Sequence, residues 1–353
     1  MPRLLALPLL VALGSMTLAQ QGGFDKVVYV DKKSGKERSE EGEVKESAGG
    51  VKVFVNGKEK LSLSPAEVVR VEYAEVPGIV GEDRGALLSL EHEKDAAKAR
   101  AGFLLLRRKA TGERSRKYLD FRELQAGTRV VDEMGTGDEF RREAARVADG
   151  WLTFAKDYPG TWEVWPAMRT RARLLADLGE SGKAAEALDG LAKTTGLPAD
   201  LRIAAALARC DVLLRAGAPA AQSAVNAVLA NPSVPSAGPL RDRANVYRAW
   251  AAAPKPGDPQ ANSATAAAAI QTALDAAKDP VARAIGFNAR GELFLAFGQL
   301  KQARWEFLWV ETVYFQDKDE LAKALRRLVQ VFDKLGDGER AEQYREKLKK
   351  LRG

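Results

Sequence analysis

Cysteine and histidine are almost missing: the 353 residues hold one of each, Cys210 and His92. That excludes a disulfide framework, a Cys/His zinc site and any mechanism needing two imidazoles. No Gly-rich phosphate loop follows a strand. Gly135-Thr136-Gly137 reads instead as a turn leading into a capping box from Thr136 to Glu139. No cofactor and no metal site is expected. A tract of one charge sign is lacking too, because the net charge of +7 is the small difference between 55 Lys/Arg and 48 Asp/Glu scattered along the chain. Nucleic acid is therefore a disfavoured partner despite the basic balance. A hydrophobic fraction of 46% is ordinary for a globular chain and argues against disorder.

The one long apolar run is at the start. MPRLLALPLLVALGSMTLAQQGG places Arg3 before apolar residues from Leu4 to Leu13, then small and polar ones. That is the layout of a secretory leader. Thr17 and Ala19 supply the small residues wanted before a cut, so cleavage is expected after Ala19, giving a periplasmic or secreted product with no transmembrane segment. About ten helical residues cover only half of a roughly 30 Å hydrocarbon core. Cys210 lies in the aliphatic stretch LRIAAALARCDVLL and is expected to be a buried, inert thiol.

Residues 24–75 differ in texture from the rest. Short β-branched runs at Val27–Val30, Gly42–Ser47, Val51–Val55, Glu59–Leu63 and Val68–Tyr73 predict five strands, with Asn56-Gly57 as a hairpin turn. Ser64-Pro65-Ala66-Glu67 is a capping box that predicts one helical turn before the last strand. Five strands with that insertion resemble SH3-like and Sm-like barrels. Residues 76–85 read as a linker, and from 86 to 353 the apolar period becomes that of helices, the first of them read across residues 86–109.

Within the helical part Gly179, Gly217, Gly298 and Gly336 each follow an aliphatic helix and precede an Ala-rich one. The outer pairs are each 38 apart, and the middle gap of 81 holds two steps, with a slot near Gly257. In the copy around Gly298, Phe287, Gly291 and Phe294 take the aromatic, small and aromatic places of a first helix, and Ala303 and Phe307 the pair on the second. Ala184 and Leu188 repeat that pair after Gly179, and Ala341 repeats it after Gly336 without an aromatic partner. This pattern resembles the tetratricopeptide repeat with a longer period of about 38–41. The expected fold is mainly α, an α-solenoid of such hairpins behind a small five-stranded SH3-like β-barrel.

Such a resemblance implies a non-enzymatic adaptor or scaffold that binds a protein or peptide partner. Trp305 and Trp309, one turn apart and off the side claimed by Phe307 and Val310, are the candidate partner-binding residues, with the first-helix faces of the repeats contributing. Trp151, Trp162 and Trp165 bracket a Tyr158-Pro159-Gly160-Thr161 turn and are expected to pin hairpins together. His92 and the cluster Glu40, Glu41, Glu43 and Glu46 read as solvated. The last helix carries Arg340, Arg345, Lys347, Lys349, Lys350 and Arg352, which suits a polar capping repeat and offers a docking site for an anionic envelope surface. Two alternatives stay open: a carboxylate-based α/α-toroid hydrolase or lyase, and a polyanion-binding envelope protein. An open groove favours the adaptor, a closed ring around two buried carboxylates the enzyme, and salt-labile binding the polyanion reading.

Overall fold

The computed structural model describes residues 23–32, 34–135, 137–258 and 261–352. The leader with its cleavage after Ala19, and Thr136 of the expected capping box, lie outside them.

Alternating β-branched residues fold into β1 (Asp25–Val30), β2 (Glu37–Ser47), β3 (Gly50–Val55), β4 (Lys58–Leu63) and β5 (Val68–Glu72). They form one antiparallel sheet in the order β4-β3-β2-β1-β5. β2 begins earlier than its apolar pattern suggests. Its polar first half, Glu37–Gly42, pairs with β1, and its second half, Glu43–Ser47, pairs with β3. Asn56 and Gly57 have φ of +52° and +74°, the two positive angles a type I′ hairpin demands. Before β5 the Glu67 carboxylate accepts the Ser64 N–H at 2.8 Å, closing the expected capping box around a single turn.

Among the described residues fourteen helices follow. The first are α1 (Glu82–Glu91), α2 (Ala96–Lys109), α3 (Glu113–Glu133) and α4 (Asp138–Asp157). Next come α5 (Val164–Asp177), α6 (Ser181–Ala192), α7 (Ala199–Arg215), α8 (Ala221–Ala230), α9 (Pro239–Ala252) and α10 (Ser263–Ala276). The array ends in α11 (Pro280–Ala296), α12 (Leu300–Thr312), α13 (Lys318–Lys334) and α14 (Gly338–Arg352). The run 86–109, expected as one helix, is two: Asp95 caps α2 by accepting the Lys98 N–H at 2.9 Å, and that cap sets a new start.

The sheet and the first helices share one core. Val27, Val51, Val53 and Leu63 continue through Tyr73, Val76 and Ile79 to Leu87, Phe103 and Leu119. Val76 and Ile79 of residues 76–85 are buried in that core while Val80 beside them is 73% exposed, and α1 begins at Glu82. Lys117 on α3 fastens the junction: its ammonium meets Glu163 at 2.9 Å and also bonds Glu46, whose other oxygen accepts the Tyr73 hydroxyl at 2.5 Å. Glu46 is therefore a fastening residue, contrary to the solvated role expected for it. Further along, Trp151 and Trp162 stand edge-on to Phe121 at 5.5 and 5.6 Å, and the Trp151 indole donates to Thr128 at 3.0 Å. Together with buried Trp165 they join α3 to α4 and α5.

Helices pack in consecutive pairs from α5 to α14. Gly179, Gly217, Gly298 and Gly336 end the first helix of four hairpins with φ between +64° and +81°. After each, the next residue's N–H returns five residues, as in Glu180 to Leu175 at 2.8 Å and Gln299 to Phe294 at 2.8 Å. This left-handed cap needs glycine because a side chain there crowds its own carbonyl. Gly257 falls between α9 and α10 without that bond pattern, in keeping with its longer loop.

Candidate functional site

The first helices of the hairpins turn charged side chains toward one another. On α7, Asp211 accepts from Arg215 at 3.0 Å and from Lys323 of α13 at 2.8 Å. Lys323 also bonds Glu320 at 2.6 Å, and the Asn288 amide of α11 donates to the other Glu320 oxygen at 2.8 Å. Glu292 of α11 receives Arg215 at 2.6 Å and Arg327 at 2.7 Å. Across the array, Arg326 of α13 bonds Asp177 of α5 at 2.5 Å, and Asp319 pairs with Arg169 of α5. α14 packs against α3. The end of the array thereby returns to its beginning, and the inner face expected to hold a partner is laced by ion pairs.

Burial opposes ionisation of Asp211, but Arg215 and Lys323 outweigh it and lower the carboxyl's pKa to about 2. Burial raises that of Glu320, with Lys323 pulling the other way and the Asp211 charge adding to the rise. The Lys323 ammonium loses hydration, yet Asp211 and Glu320 hold it charged. None of the four Asp211 and Glu320 oxygens lacks a partner.

The outer layer is different. On α12, Ala303, Phe307 and Val310 are buried, and an added Cβ on Gly291 of α11 would sit 2.5 Å from the Phe307 ring. Glycine there lets α11 and α12 approach, as the repeat pattern implied. Trp305 and Trp309 lie off that side and are 59% and 48% exposed. Val313 and Phe315, unremarked in the sequence, are exposed too: Val313, at the C-cap of α12, completes a row at i, i+4 and i+8, and Phe315 follows just past the helix; the spacing of the first three was the available signal. Phe287 stacks on Trp309 at 5.7 Å and on Tyr314 at 5.3 Å, so this repeat aromatic also supports the outer row. The Arg304 guanidinium lies over the Trp305 ring at 5.4 Å.

The remaining repeat positions pack. Ala184, Leu188, Phe294 and Ala341 are buried. Ala341 does have an aromatic companion: Tyr344, one place earlier than the pattern requires, stacks on Phe332 at 5.3 Å. On α14, Arg340, Arg345 and Lys347 meet Asp337, Asp333 and Glu311, which spends half of the expected basic field. Cys210 is fully buried, and burial pushes its thiol up to about 12. His92 is exposed at the rim of a 220 Å³ cavity between the sheet and α1, beside Phe24, Tyr73 and Glu91. A second cavity of 220 Å³ lies among α4, α5 and α6. Both fall below the roughly 300 Å³ of a usual small-molecule pocket. Among the described residues no helix is long and apolar enough to cross a membrane. No protein-family model matches the chain, and no curated protein matches its sequence.

Proposed function

We propose that the chain is an exported adaptor in which a tetratricopeptide-like array, led by an SH3-like or Sm-like barrel, holds a protein partner on its outer aromatic row. The carrying observation is Trp305 and Trp309, both exposed on a helix whose core side is already filled by Phe307 and Val310. Tryptophans in that position add little to folding and are the residue type that dominates protein interfaces. The strand order, the turn before β5 and the Gly291–Phe307 apposition support the two resemblances. The test is retention of a discrete envelope protein on the immobilised full chain at about 0.15 M salt, where the Debye length is about 8 Å. Retention that survives in Trp305→Ala/Trp309→Ala would place binding elsewhere.

One observation favours the enzymatic reading: the array closes around buried Asp211 and Glu320. A glycosidase-type pair needs one acid free to protonate a leaving group and another facing water or sugar. Here both carboxylates are occupied by Arg215, Lys323 and Asn288, so the adaptor is preferred. Release of reducing ends from an anionic polysaccharide by the full chain, abolished in Glu320→Gln, would reverse that preference.

A further inference from the structure

We infer that the α12 row is shaped for an acidic, amphipathic helical segment of the partner, whose apolar ridge seats on Trp305, Trp309 and Val313 and whose carboxylates reach Lys301 and Arg304. The inference rests on the adaptor reading and adds the partner's chemistry to it.

Spacing comes first. Residues at i, i+4 and i+8 form one of the ridges by which helices pack, and this one runs about 12 Å along α12 at 1.5 Å per residue. A helix carrying its own apolar ridge matches that row side chain for side chain. Rigidity is the second argument. Trp309, Phe287 and Tyr314 form a stack with interplanar angles of 22° and 20°, and Arg283 reaches the Tyr314 hydroxyl at 3.4 Å. Rings fixed before binding spare the partner the entropy of ordering them, an advantage for a packed protein interface. A fluid lipid surface has no use for a preset row.

Charge is the third. Both acids of α12 are committed: Glu306 is buried against Arg290 at 2.9 Å, and Glu311 is bonded by Lys347 and Tyr344. The cations are not. Lys301 lies one turn before Trp305, Arg304 covers its ring and Lys318 follows Phe315, and none of the three has an acidic partner among the described residues. On α14, by contrast, Arg340, Arg345 and Lys347 are each matched by a carboxylate. Asp317, beside Lys318, spends its carboxylate on the Glu320 N–H and offsets that cation, so the uncompensated positive charge lies at Lys301 and Arg304 beside Trp305, where it attracts an acidic segment and repels a basic one.

The chain carries its own reporter. Trp151, Trp162, Trp165 and Trp250 are buried, so acrylamide quenching of the full chain reads Trp305 and Trp309. The probe is a synthetic amphipathic peptide of about twenty residues, leucine along one face and glutamate elsewhere, long enough to hold a helix on binding. Expected results are protection of the two indoles, at least about tenfold weaker binding to Lys301→Glu/Arg304→Glu, and a similar loss when lysine replaces glutamate in the peptide. Equal binding of the two peptides, or undiminished binding by Trp305→Ala/Trp309→Ala, overturns the inference. So does protection by phosphatidylglycerol vesicles with the glutamate peptide silent, which assigns the row to lipid. Protection that grows with protein concentration alone overturns it in favour of a second copy of the chain. A natural partner retained through the tryptophans while the glutamate peptide fails removes this inference and leaves the adaptor reading standing.

Discussion

On α13, Glu320, Lys323, Arg326 and Arg327 turn inward and each meets an opposite charge or a buried amide, whereas on neighbouring α12 Trp305 and Trp309 turn outward and are about half exposed. The usual distribution is inverted between adjacent helices. Buried ion pairs come close to breaking even against well-packed apolar residues, so the inner set contributes register more than net stability: it dictates which helix of the end faces which helix of the start. The outer rings, with Trp309 resting on Phe287 and Trp305 the more exposed of the two, make no such cross-array contact.

The largest effect expected is from Asp211→Asn, which leaves Lys323 and Arg215 short of a buried counter-charge and should cost about 3–5 kcal/mol in urea unfolding. A loss under about 1 kcal/mol would end the contrast. The sign with pH is fixed by the depressed carboxyl: its contribution is fully present above its ordinary value of 3.8 and disappears as pH falls through about 2. Wild type should therefore lose stability faster than Asp211→Asn across that window. Gly291→Ala tests the wall between the layers. Its methyl would meet the Phe307 ring at 2.5 Å, so a cost of about 1–3 kcal/mol is expected. Combination with Phe307→Leu should be less than additive.

Glu320→Gln sharpens the comparison from the other side. Its raised folded pKa means that the fold binds this proton more tightly than the unfolded chain does and that stability falls as pH climbs above 4.5. The neutral amide removes that fall, so the variant should stay within about 1 kcal/mol of wild type and gain on it from acid toward neutral pH in thermal melts. Smallest of all is Trp305→Ala, expected within about 0.5 kcal/mol of wild type, as for surface positions generally. A larger loss would show that the outer row packs for stability and not for a partner.

Elements with a periodic apolar signal were readable in the sequence: β1 and β3 from alternation, the hairpins from glycines at a fixed spacing, and Trp305 and Trp309 from their position beside Phe307. What escaped reading was carried by polar residues. The first half of β2 is Glu, Arg and Ser, and the break before α2 depends on the Asp95 side chain. The inner network escaped for the same reason. Asp211 and Arg215, or Glu320 and Lys323, look like ordinary pairs on a solvated helix face, and only closure of the array turns that face inward. Curvature depends on small differences at each helix junction, which no single motif records.

The contact of α13 with α5 sets a limit on how this protein can change length. An open array can gain or lose a repeat by duplication or deletion, because each unit answers only to its neighbours. Here Arg326 must find Asp177, some 149 residues away along the chain, and Asp319 must find Arg169. One hairpin more or fewer would carry Arg326 past its acid and Asp319 past its cation, leaving the number of repeats fixed by a handful of charges rather than by the repeats themselves.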